Sequence, residues 1–108
     1  MTDFGAEISK RISVRTPEDL IDIVANYFKL PKSELLSSGR TKEIMVPRQI
    51  CMYLIREVLS QSYETIGERF SGRNHTTVIH AYNKITHEMK ENAKIMRDVN
   101  ALKREIGL

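Results

Sequence analysis

Ile66-Gly67-Glu68-Arg69-Phe70-Ser71-Gly72-Arg73-Asn74-His75-Thr76-Thr77-Val78-Ile79-His80-Ala81 reads as the end of a short helix, a tight turn and the start of a second helix. Ile66 and Phe70 are one helical turn apart, Ser62 upstream suits an N-cap, and Gly67 lets a neighbouring backbone come close. A helix over Tyr63 to Phe70 follows. Ser71-Gly72-Arg73 has to turn the chain, and Asn74 suits the N-cap of the next helix, in which Val78, Ala81, Ile85 and Met89 share one side. Thr77, His80 and Lys84 fall on another side. Two helices joined by a three-residue turn containing glycine have the dimensions of a helix-turn-helix.

Outward from this unit the chain reads as more helix. Thr16-Pro17-Glu18-Asp19 places a capping threonine, a proline at the first helical position and two acids in the first turn. Leu20, Ile21, Val24, Tyr27 and Phe28 follow on one face, so a helix runs from about Pro17 to Leu30. Lys32 to Leu36 fits a short helical turn, and Ser37 to Lys42 is a polar, basic loop. Pro47 suits a second N1 position. Ile50, Cys51, Leu54, Ile55 and Val58 then trace a broad apolar face, which predicts a central helix over Pro47 to Ser60. Beyond His87 the pattern continues through Ile95, Val99, Leu102 and Ile106 as a terminal amphipathic helix. No stretch alternates with period two, so the expected fold class is all-α, a small helical domain over residues 16–108 preceded by a tether over residues 1–15.

At 108 residues the chain has room for one modest core, and 41% hydrophobic with 29% charged residues is ordinary for a folded domain. A lone cysteine, Cys51, forms no internal disulfide and fits a reducing compartment. The longest apolar run, Ile50 to Ile55, is far short of a membrane span, and Met1-Thr2-Asp3 does not read as a signal peptide, so a cytoplasmic location is expected. The net charge of +3 is too mild to identify a partner, but its distribution is uneven. Residues 37–56 hold four bases against one acid, and residues 69–87 three bases and no acid. These two blocks therefore carry +6, and the remainder −3. Cationic Arg73 precedes Asn74, His75, Thr76 and Thr77, four hydrogen-bonding residues at the front of the second helix. In a recognition helix that first turn enters the major groove, where an asparagine meets a base edge and a threonine methyl meets a thymine methyl. Taken singly, Asn74 is also an ordinary cap, and threonines are common in first turns.

The run from Ile66 to Ala81, continued by Lys84-Ile85, closely resembles the signature of the C-terminal DNA-binding domain of DnaA, the bacterial chromosomal replication initiator family. Ser38-Gly39-Arg40 and Val46-Pro47-Arg48-Gln49-Ile50 are similar to the same family's basic loop and the start of its long helix. The resemblance implies a Trp-repressor-like, DnaA C-terminal type of helix-turn-helix. It also implies sequence-specific binding of double-stranded DNA at the DnaA box, in replication initiation or its regulation, in association with the nucleoid; a monomer is expected because the helix-turn-helix pattern offers no clear dimerisation helix beyond the amphipathic C-terminus. By position, it assigns base reading to Arg40 in the minor groove and to Asn74, His75 and Thr76 in the major groove. Lys42, Arg48, Gln49, Arg56, Arg73, Thr77, His80 and Lys84 are assigned to the DNA backbone. Phosphate contacts set affinity and register, while base contacts set preference.

Two positions depart from the usual pattern. Asn74 stands where relatives have aspartate, so it keeps an acceptor and gains a donor, which opens both cytosine and adenine edges to it. Tyr63-Glu64 stands where many relatives have Leu-Pro. The glycines at 5, 39, 67, 72 and 107 build no Gly-x-x-x-x-Gly-Lys-[Ser/Thr], so nucleotide hydrolysis is not assigned to this chain. His75, His80 and His87 have no cysteine or carboxylate at ligand spacing, and Cys51 sits on an apolar helix face, so neither a metal nor a thiol enzyme is expected. No cofactor is expected either. The rival of another class is a helical protein-interaction module that keeps the fold and has lost specific DNA reading.

Overall fold

The computed structural model describes residue 14 and residues 16–108. The tether read over residues 1–15 lies outside these, except for Val14, which is half-buried against the core. The described residues form six helices in order: α1 (Pro17–Phe28), α2 (Lys32–Leu35), α3 (Lys42–Leu59), α4 (Tyr63–Arg69), α5 (His75–Glu91) and α6 (Ala93–Glu105). There is no strand among the described residues, and none of their helices is long and apolar enough to cross a membrane.

Local chemistry sets most of the boundaries. The Thr16 hydroxyl accepts from the Asp19 amide, and the Asp19 carboxylate accepts in return from the Thr16 amide, closing a capping box at the front of α1. Lys29, at φ 58°, ends the helix in the left-handed region. Ser62 caps α4 through the Thr65 amide, and Asn74 caps α5 through the Thr77 amide. Between α4 and α5 the turn contains two successive left-handed residues, Ser71 at φ 62° and Gly72 at φ 65°.

Most helix ends lie within two residues of the sequence expectation, and two boundaries differ by more. α3 begins at Lys42 instead of Pro47, with the Ile44 and Met45 amides both donating to the Thr41 carbonyl. Proline disfavours helix in the residue before it, hence the expected start at Pro47. Here its ring is buried, and half-buried Ile44 and Val46 extend the packed face upstream. The lost backbone donor of Pro47 removes only one helical bond. The second difference is a break at Asn92. Its backbone is extended, its amide donates to the Glu88 carbonyl, and its Oδ1 accepts from the Lys94 and Ile95 amides, so one residue ends α5 and starts α6.

α3 is the central element, packed against α1, α2, α4 and α5, and all six residues from Ile50 to Ile55 are buried. Leu20, Ile21 and Val24 of α1, Ile66 of α4, Val78 and Ile85 of α5, and Val99 and Leu102 of α6 complete the core around Phe70. Cys51 is fully buried, and that burial pushes its thiol up, well away from a reactive thiolate.

Candidate nucleic-acid interface

The polar loop between α2 and α3 is held by side chains from two directions. Arg48, only 3% exposed, donates from Nε to the Leu35 carbonyl (3.3 Å) and from Nη2 to the Gly39 carbonyl (2.8 Å). From the helix-turn-helix side, Ser71 Oγ donates to the Leu36 carbonyl (2.6 Å) and Arg73 Nη2 to the Ser37 carbonyl (3.3 Å). Four carbonyls between Leu35 and Gly39 are thereby tied to α3 and to the α4–α5 turn. Within the loop, the Gly39 amide donates to Ser37 Oγ. Arg40, next in the chain, is exposed and makes no hydrogen bond or ion pair among the described residues. A rigid base thus presents a free guanidinium.

Gly67 sets the angle of the helix-turn-helix. Its carbonyl accepts from the Phe70 and Arg73 amides, and a Cβ placed on it would lie 2.1 Å from the Arg73 carbonyl oxygen. The close neighbour expected at this glycine is therefore the backbone of the turn itself. Asn74 then caps α5, which starts with His75, Thr76 and Thr77; all four residues are exposed.

Between α3 and α5 lies a recess of about 220 Å³. Arg48, Gln49, Arg73, Thr77, His80 and Lys84 all line it, six of the eight side chains expected at the DNA backbone. No acid stands among its lining residues. Burial and the nearby Arg73 charge lower the Arg48 guanidinium from its ordinary range, an electrostatic cost that a bound anion would relieve. Among the described residues, Gln49 Oε1 and Arg73 Nε are buried without a hydrogen-bond partner, and both residues belong to this recess. A buried donor left unmade is costly.

The other two backbone candidates lie elsewhere. Lys42 is exposed at the first position of α3. Arg56 donates from Nη1 to the Gln61 carbonyl (2.9 Å), and its guanidinium lies 4.5 Å from the centroid of the Tyr63 ring. The aromatic residue at the start of α4 thus takes a cation, in a cluster where Tyr53 stacks on Tyr82 and Tyr63 meets Tyr82 edge-on. Sequence reasoning missed the role of Ser71, whose hydroxyl on the Leu36 carbonyl joins residues 35 positions apart. Nothing local signals that pairing. His75, His80 and His87 are exposed on one helix, and among the described residues no group of three or more His, Cys, Asp or Glu side chains could hold a metal ion.

The family described as the bacterial DnaA protein helix-turn-helix matches residues 17–85. The chromosomal replication initiator protein DnaA of Levilactobacillus brevis is 40% identical over 111 aligned residues, which cover 97% of this chain and 25% of that protein. Its counterpart in Lactococcus lactis subsp. cremoris is 44% identical over 94 residues, covering 87% of this chain and 21% of that one. A crystal structure described as that of a DNA replication initiation factor superposes with a TM-score of 0.71 at 30% identity, covering 97% of this chain and 30% of the other. The chain thus spans about a quarter or less of the length of these curated relatives.

Proposed function

The chain belongs to the bacterial DnaA helix-turn-helix family, and on that premise we propose that it binds double-stranded DNA specifically at DnaA-box-type repeats, in replication initiation or its regulation. The observation that carries this reading is the tie between loop and turn. Arg48, Ser71 and Arg73 hold the loop carbonyls of Gly39, Leu36 and Ser37 that lead to Arg40, and Arg73 directly precedes Asn74, the cap of α5. A minor-groove reader and a major-groove reader are in this way joined through one short, stiff connection.

In this reading α5 enters the major groove with Asn74, His75 and Thr76 at base edges, and Arg40 enters the adjacent minor groove, where narrow A·T-rich stretches attract a guanidinium. The recess carrying Arg73, His80 and Lys84 takes backbone phosphates, with Gln49 and Thr77 as neutral partners and Lys42 and Arg56 at the margins. The chain acts here as a monomer on nucleoid DNA in the cytoplasm, without cofactor and without chemistry of its own.

The test is a titration of two labelled duplexes, one carrying a DnaA-type box and one scrambled, at several salt concentrations. About four phosphate contacts give a log–log salt slope of roughly −4, with box binding tighter than scramble by 10³ or more, the lower end for specific readers. Equal affinity for both duplexes, or no binding at moderate salt, overturns the proposal and favours a protein-interaction module.

A further inference from the structure

We propose that Asn74 sets the sequence preference of this chain by donating a hydrogen bond to the base it meets, so that it rejects the cytosine that an aspartate accepts there. The inference rests on the DNA-reading function above and specifies one contact of it.

The argument starts from the cap. Asn74 Oδ1 accepts from the Thr77 backbone amide at 3.0 Å and from Thr77 Oγ1 at 3.3 Å. A backbone amide only donates, so the side-chain atom facing it has to be the oxygen, and this fixes which way the carboxamide is turned. An amide oxygen has two lone pairs; the Thr77 amide takes one, and the Thr77 hydroxyl stands beside the other at a long 3.3 Å. What remains on this exposed side chain at the front of α5 is Nδ2 with its two hydrogens, and Nδ2 has no partner among the described residues.

An aspartate in the same rotamer spends one oxygen on the cap and keeps the second as an outward acceptor. That acceptor suits the amino group of cytosine, or of adenine. Asparagine preserves the cap and reverses the sign of the outward atom. Nδ2 suits O6 or N7 of guanine, O4 of thymine or N7 of adenine, and it finds nothing on cytosine, whose major-groove edge offers only a donor. The two-bond pairing of asparagine with adenine needs the oxygen to face the base beside Nδ2, whereas here it faces the Thr77 amide. The carbonyl oxygen is turned to Thr77, so the amino hydrogens and not the carbonyl face outward from the helix start.

Asn74→Asp is isosteric and keeps an acceptor for the Thr77 amide, so the variant folds with an intact α5, verified by its circular dichroism and melting curve. The full chain and the variant are each used to select duplexes from a pool of random sequence, and single-base variants of the selected duplexes are then titrated. The expected motifs agree at every position but one. At that position the natural chain accepts guanine, thymine or adenine and rejects cytosine, whereas Asn74→Asp accepts cytosine or adenine and rejects guanine and thymine, each by roughly fivefold to tenfold, the lower end for a base-edge contact. The added negative charge lowers the affinity of the variant for all duplexes alike and leaves these ratios unmoved. Identical motifs from the two proteins, or cytosine selected by the natural chain at the position that the substitution changes, overturn this inference alone. If the natural chain enriches no sequence, the box-reading function fails and this contact with it.

Discussion

Two arginines eight positions apart are given opposite tasks by their surroundings. Arg40 is exposed and without a partner among the described residues, whereas Arg48 is buried with two backbone carbonyls in its fork. Arg48→Ala leaves both carbonyls of the loop without their donors and opens a gap beneath it. The expected cost is about 2–4 kcal/mol, because hydrogen bonds from a charged donor are among the stronger ones. Arg48→Lys recovers little of it, since an ammonium lacks the planar fork. Arg40→Ala, by contrast, changes stability by less than about 0.5 kcal/mol, as surface substitutions do. Urea unfolding of the three variants, with hydrogen exchange of the loop amides, checks the contrast, and an Arg48→Ala chain as stable as the parent contradicts it. In DNA titrations Arg40→Ala should lower the box-to-scramble ratio while the fold stays intact.

At the scale of elements, the helix-turn-helix depends on one glycine more than on its capping residues. A methyl group at position 67 would meet the Arg73 carbonyl, which is backbone and cannot swing aside. Gly67→Ala therefore has to push α4 off the turn, at about 3 kcal/mol, the upper end for overpacking. That displacement also loosens Arg73 and Ser71, the two holders of the basic loop on this side. Thermal melting gives the stability loss, and protection of the loop amides reports the coupling. A Gly67→Ala chain with unchanged melting temperature would show that the turn relaxes freely. Gly67 was legible as a site of close approach from its place in a helical pattern. Which backbone approaches it follows from the angle between α4 and α5, and no local residue pattern states that angle.

For the whole molecule, two tyrosine–carboxylate pairs join helices distant in sequence. Tyr82 of α5 donates to Glu57 of α3 (2.9 Å), and Tyr27 of α1 donates to Asp98 of α6 (2.8 Å). The hydrogen bond to Glu57, with burial, pushes the Tyr82 phenol up to about 12, and the bond to Asp98 raises Tyr27 as well. A phenol raised in the folded state adds stability that is complete below its unfolded value near 10 and is lost as pH climbs through the folded value. Urea midpoints should therefore fall between about pH 10 and 12, and Tyr82→Phe should flatten that fall. A midpoint independent of pH over this window would contradict the pairing. The all-helical class, the caps at Thr16, Ser62 and Asn74, and the helix-turn-helix were determined by the sequence itself, because caps and 3.6-residue periodicity are local properties written within a few positions. The start of α3 ahead of Pro47 was decided by tertiary packing, where burial of a neighbouring apolar face outweighs a local backbone preference. The same holds for the burial of Arg48. A cation in a basic stretch reads as solvent-facing, and only the fold brings the Leu35 and Gly39 carbonyls within reach of its guanidinium.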